Sequence, residues 1–133
     1  MHRRSLLTGL IALTGTQVFG MTETFEVTRT EAEWRRMLTD AEFKVMRQEG
    51  TERTFSSPLN KETRVGTYHC KGCDLPLYGS AQKYDSGTGW PSFWASLPDA
   101  VGTKPDNTLF ATRTEVHCRR CGSHLGHIFD DGP

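Results

Sequence analysis

Charge of one sign is the first thing this sequence lacks. Lysine and arginine number 16 and aspartate and glutamate 16, so the formal net charge is zero. Neutralising a phosphate backbone needs a basic surplus, so the balance argues against generic nucleic-acid binding. Apolar residues are scarce as well, at 35%, and no stretch reads as a stable membrane span. There is no internal repeat and no low-complexity tract. The strand–helix alternation of a βαβ fold is missing too, which argues against a doubly wound parallel sheet. The 133 residues suffice for one domain and hardly for two. Glycine, by contrast, is frequent, with 13 copies. A low apolar share with many glycines suggests a loop-rich fold whose core needs a staple.

The first twenty residues, MHRRSLLTGLIALTGTQVFG, stand apart. A positive start, an apolar stretch from Leu6 to Leu13 and small residues after it make a secretory signal pattern, too short to span a membrane. Arg3-Arg4 followed by Ser5-Leu6-Leu7 resembles a bacterial twin-arginine export signal. Val18 and Gly20 offer a weak cleavage site. The expectation is export to the periplasm or cell envelope, with residues 21–133 as the domain. The alternative is a cytoplasmic protein that starts at Met21.

Two helix starts follow. Thr30-Glu31-Ala32-Glu33 fits a capping box, and Thr39-Asp40-Ala41-Glu42 repeats it. Trp34, Met37 and Leu38, then Phe43 and Met46, fall at helical spacing, and Gly50 reads as a stop. Residues 30–49 are therefore expected to form two short helices joined at Thr39, with Trp34 and Phe43 in the core. After Gly50 the character changes. RVGTYHC and NTLFATRTEVHC read as strands, each running into a cysteine pair, and LPLYGSAQKYDSGTGWPSF reads as short strands and turns. The expected class is mainly β after a helical lead-in.

The chain has four cysteines, paired as Cys70-Lys-Gly-Cys73 and Cys118-Arg-Arg-Cys121. Two thiolates of one tight turn can face one ion, and two such turns complete a tetrahedron. Four soft sulfur ligands suit zinc, held once per chain as a structural ion with no open position. Two disulfides, a redox-active C-x-x-C and an iron site are the competing readings. The redox reading lacks its βαβ setting. Export of an already folded protein would allow metal loading in a reducing cytoplasm.

With the pairs in place, GTYHCKGCDLPLYGSAQKYDSGTGWPSF and HCRRCGSHLGHIFDDGP resemble the methionine-R-sulfoxide reductases. The likeness runs from about Glu33 to Pro133. It implies two small antiparallel sheets in an open barrel-like shape, helices on the N-terminal side, and one zinc on four cysteines. It implies reduction of the R epimer of methionine sulfoxide, usually within oxidised proteins, by attack of a cysteine thiolate on the sulfoxide sulfur. By the same resemblance Trp90 packs on the substrate's S-methyl group, Phe129 adds an apolar wall, and His124 and His127 stand near the sulfoxide oxygen. Core packing is the other reading of Phe129, and zinc ligation the other reading of the histidines. His69 and His117 match no role, and Trp94 reads as an ordinary half-buried tryptophan.

Two departures from the resemblance matter. Many relatives carry a resolving cysteine where this chain has Thr88, so recycling is expected from an external thiol or a thioredoxin-like partner. The nucleophilic cysteine is expected roughly eight or nine residues beyond Pro133, in an R-x-C-x-N segment, a spacing carried by the resemblance. The four cysteines present are all expected on zinc. On this reading the chain is a C-terminally truncated form with the pocket but without the attacking atom. The rival classes are a non-catalytic zinc-knuckle binding module and a C-x-x-C disulfide oxidoreductase.

Overall fold

The structure, a computed structural model, describes residues 23–133. The expected export signal lies outside the described residues. Among those residues no helix is long and apolar enough to cross a membrane.

Both helices form where the capping boxes place them. α1 is Glu31–Met37 and α2 is Asp40–Gln48. Thr30 Oγ1 accepts from Glu33 N–H at 3.2 Å, and the Glu33 carboxylate accepts from Thr30 N–H at 3.1 Å. Thr39 and Glu42 repeat both bonds at the same distances. Each box satisfies two backbone donors that a helix start would leave unpaired. Gly50 does not supply the left-handed stop. Glu49 does, at φ 55°, and the Gly50 N–H closes the turn onto the Lys44 carbonyl at 2.9 Å. A Cβ on residue 50 would lie 2.8 Å from that carbonyl oxygen, so the position requires glycine through close approach.

The remainder is mainly β, in small antiparallel sheets as expected. The sheets number three among the described residues, where two were expected, and they do not close on one another. β1, Thr67–His69, pairs with β2, Pro76–Gly79. β3, Lys83–Tyr84, pairs with β4, Ser92–Phe93. Stacking of Tyr78 on Phe93, centroids 4.4 Å apart, and the edge of Tyr68 on Phe93 at 5.0 Å join these two ribbons. The third sheet is a meander of β5, Val101–Asp106, β6, Arg113–Cys118, and β7, His124–Ile128, with β6 in the centre.

Two boundaries differ from the sequence reading. The strand expected over 107–118 begins only at Arg113, because 107–112 form the loop that reverses the chain from β5. Asp106 ties that loop down by accepting from Thr108 N–H and Oγ1–H. β5 itself has no strand signature, since it contains Gly102, Lys104 and Pro105. It survives as an edge strand, where a proline's missing N–H need not face a neighbour.

The core is small. Trp34, Leu38, Phe43, Leu75, Leu77 and Ala100 pack with three of the cysteines. Trp34 lies between the guanidinium groups of Arg29 and Arg47, 5.2 and 4.3 Å from its ring centroid. So few apolar side chains leave the cysteine cluster as an integral part of the interior.

Candidate active site and metal centre

The two C-x-x-C motifs are the turns of two hairpins. The first joins β1 to β2 and the second joins β6 to β7. Their backbones repeat each other. Asp74 and Gly122 are left-handed, at φ 63° and 74°, and donate to the carbonyls of Cys70 and Cys118, both at 2.8 Å. Cys70 and Cys118 donate in turn to the carbonyls of Leu75 and Ser123, at 2.8 and 2.9 Å. Each turn thus aims two sulfurs to one side.

The four sulfurs meet. Cys70 and Cys121 are 3.7 Å apart, Cys73 and Cys118 3.5 Å, and all four sulfurs lie within 4.8 Å of one another. A tetrahedral ion with metal–sulfur bonds of about 2.3 Å requires sulfur separations of about 3.8 Å. The thiols also feel each other strongly. Hydrogen bonds from Cys118 and Cys70 hold Cys121 far below the usual thiol range. Hydrogen bonding to Cys118 and Cys121 pushes Cys70 far above it, and burial lifts Cys73 to about 11. Four thiolates can coexist here only around a cation. The donor set and its spacing therefore fit a metal ion, and among the described residues no histidine takes part in the cluster.

His124 and His127 both sit on β7, with ring centroids 5.3 Å apart. Gly126 between them has φ 155°, and the β6–β7 ladder slips in register at Val116/His117. That irregularity breaks strict alternation and lets residues three apart share a side of the sheet. Each ring has its own carboxylate. His124 Nδ1 is 2.9 Å from Glu115 Oε1, and His127 Nε2 is 2.6 Å from Asp106 Oδ2. Phe129 follows, its ring centroid 6.4 Å from that of His127. It is 64% exposed, which removes it from the core.

The sequence reading missed both carboxylates. Glu115 is 3% exposed, and burial alone would raise its pKa, yet hydrogen bonds from His124 and His117 hold it below the usual range. The Asp106 carboxyl lies far below its ordinary value, first through the Thr108 side chain and backbone and then through His127. Asp106 also pairs with Arg113 at 3.0 Å. His117, without a role from sequence, is buried between Glu115 at 2.9 Å and Glu23 at 3.0 Å. His69 stays exposed, beside the Asp74 carbonyl. A signal for Glu115 was present: in a strand, residues two apart share a face, and Glu115 is two from His117.

Trp90 occupies the β3–β4 connection and is 38% exposed. Its indole N–H donates to the Glu52 carbonyl at 2.6 Å. The Gly89 carbonyl accepts from Phe55 N–H at 2.8 Å and from the Asn60 side chain at 2.9 Å. Residues 52–60 thus strap the tryptophan loop in place. Gly89, at φ 96°, lies so close to the Phe55 ring that a Cβ would be 3.0 Å away. Trp94 is 56% exposed. An open depression of about 410 Å³ lies along the strap, lined by Phe55, Pro58 and Lys61 among others. None of the residues singled out from the sequence lines it.

A β-domain with a four-cysteine cluster fit for a metal ion, two carboxylate-braced histidines and an exposed, anchored tryptophan has the makings of a small enzyme site. Comparison with known proteins specifies it. A family model described as SelR domain matches residues 38–133. The chain is 49% identical over 109 residues to the peptide methionine sulfoxide reductase MsrB of Pseudomonas putida strain W619, covering 81% of this chain and 82% of that one. It is 48% identical over 108 residues to that of Methanosarcina barkeri, covering 80% and 76%. With the chloroplastic peptide methionine sulfoxide reductase B1 of rice it shares 46% identity over 110 residues, 82% of this chain and 51% of that protein. The chain belongs to the SelR family of peptide methionine sulfoxide reductases, which are oxidoreductases.

Proposed function

We propose that this protein, with a nucleophilic cysteine supplied by a segment following Pro133, reduces the R epimer of methionine sulfoxide in oxidised proteins. The observation that carries the reading is the pair of histidines side by side on β7, each held by a buried or half-buried carboxylate. In the proposed step a cysteine thiolate attacks the sulfoxide sulfur. The sulfur–oxygen bond breaks, and His124 or His127 delivers a proton to the departing oxygen. The oxygen ends on cysteine as a sulfenic acid, and methionine leaves, its sulfur reduced by two electrons and the cysteine sulfur oxidised by two. Trp90 and Phe129 supply the flat walls against which one epimer's methyl group fits.

The proposed metal is zinc, since four thiolates at tetrahedral spacing suit it and it has no redox chemistry of its own. It would hold the two hairpin turns together. All four cysteines of the sequence gather in that cluster, which is why the attacking thiol is sought elsewhere. Thr88, hydrogen-bonded to Ser86 at 2.7 Å, offers no thiol to resolve the sulfenic acid. Two external thiols, or a thioredoxin-like partner, would release it as water and return the cysteine. The twin-arginine pattern of residues 1–20 supports action in the periplasm or cell envelope.

The test compares residues 1–133 with a form extended through an R-x-C-x-N segment. The extended form is expected to turn over R-methionine sulfoxide with a dithiol and to leave the S epimer untouched. The 133-residue form is expected to show no turnover, because removing the nucleophile of a covalent mechanism leaves only residual catalysis. Comparable rates from the two forms would refute the assignment of the nucleophile.

A further inference from the structure

Glu115 and Asp106 do different things to the two histidines. A carboxylate only accepts hydrogen bonds when ionised, so the ring nitrogen facing it must carry a proton. Glu115 Oε1 faces His124 Nδ1. Asp106 Oδ2 faces His127 Nε2. Among the described residues neither His124 Nε2 nor His127 Nδ1 has a hydrogen-bond partner. We propose that Glu115 and Asp106 are positioning residues that lock the two histidines in opposite tautomers, so that His124 offers Nε2 and His127 offers Nδ1 to the substrate. The proposal rests on the role given to these histidines in the preceding section.

Both carboxylates are themselves held, which a chance contact would not show. Glu115 Oε2 is 2.9 Å from His117 Nδ1, and His117 Nε2 is 3.0 Å from Glu23 Oε1. The His117 ring lies over Gly102 so closely that a Cβ there would be 2.5 Å from Nε2, and the Phe25 ring meets it edge-on at 5.7 Å. The second oxygen of Glu115 is thus tied to a ring that is itself packed and bonded on its far side. Asp106 Oδ1 accepts from Thr108 N–H at 3.0 Å and Oγ1–H at 2.6 Å, while Oδ2 also takes the Arg113 guanidinium at 3.0 Å. The braces come from different strands, β6 and β5, so the two rings are fixed independently. A free imidazole interchanges its tautomers, and the partner of one nitrogen decides what the other can do. A ring fixed in this way takes up a further proton only at its open nitrogen, Nε2 of His124 or Nδ1 of His127, and from that atom can hand it to the sulfoxide oxygen.

The experiment is a long-range ¹H–¹⁵N correlation spectrum of the zinc-loaded 133-residue chain, labelled at histidine and recorded at pH 8. His124 should show a protonated, pyrrole-like Nδ1 and a bare, pyridine-like Nε2. His127 should show the reverse. The same tautomer on both rings, or a bare Nδ1 on His124, overturns the proposal. Glu115→Leu, checked for metal content and a dispersed spectrum, should abolish the Nδ1 preference of His124 and leave His127 unchanged. An unaltered His124 in that variant would remove Glu115 from the role. If the variant fails to fold, the parent spectrum still decides. None of these signals requires turnover, so the outcome is separable from that of the sulfoxide assay.

Discussion

Both oxygens of Asp106 are engaged, by Thr108, Arg113 and His127. The carboxyl is held well below its ordinary value of 3.8. A depressed carboxyl contributes stability above its unfolded pKa, and the contribution is lost as pH falls through the lower, folded value. Asp106→Asn is therefore expected to lower the urea midpoint by a steady margin above about pH 5, and the margin should begin to shrink below about pH 4 and go on shrinking as pH falls toward the lower, folded value. Urea unfolding of parent and variant across that range checks it, and a margin independent of pH would contradict the ionic origin. At this scale the sequence revealed the four cysteines and the two histidines through spacing and family likeness. It did not reveal their braces. Asp106 lies 21 residues from His127 in the chain, and the pairing exists only because β5 folds back along β6. Glu115 was within reach of the alternation rule, had 113–118 been read as a strand with two distinct faces.

The helices were the most legible elements, because a capping box is a local code. Thr39→Ala breaks one of its two bonds and should cost about 1 kcal/mol, visible as a lower thermal midpoint with the metal still bound. The Glu42 carboxylate would keep its bond from the backbone N–H of residue 39, so the box is half broken rather than lost. The hairpin turns were legible as metal knuckles for the same local reason. β5 and β7 were not. Pro105 and Gly102 disguise the first as a loop, and Gly126 between two polar rings disguises the second. Both are edge strands, and their existence is decided by pairing with β6 rather than by their own composition. The strap formed by residues 52–60 escaped notice entirely. Apart from the Asn60 side chain, its grip on the Trp90 loop runs through backbone groups, the Glu52 carbonyl accepting and the Phe55 N–H donating, and backbone groups leave no mark in a sequence.

For the molecule as a whole, the decisive fact is how little apolar matter surrounds the metal site. Cys70, Cys118 and Cys121 are part of the same buried cluster as Trp34, Leu38 and Phe43. Metal affinity is then folding free energy. A strong chelator should unfold the 133-residue chain cooperatively, followed by loss of near-ultraviolet circular dichroism. Cys121→Ser should bind substoichiometric metal and aggregate. A chain that kept its native spectrum after chelation would show that the apolar core suffices. β6 makes the coupling direct. It carries Glu115 and ends at Cys118, while β7 begins three residues after Cys121, so one turn sets the register of the histidines.

The four sulfurs do not face the outside equally. Cys118 and Cys121 are 0% and 1% exposed and Cys70 3%, while Cys73 is only half-buried. Methionine sulfoxide is a product of oxidation, and thiolates are open to oxidation as well. Exposure decides which thiolate an oxidant meets first. Under graded hydrogen peroxide, mass spectrometry should find the first oxidised sulfur at Cys73, with metal release tracking that modification. Damage at that one corner of the tetrahedron would carry through a shared ion to the β6–β7 turn, and so to the register that places both histidines.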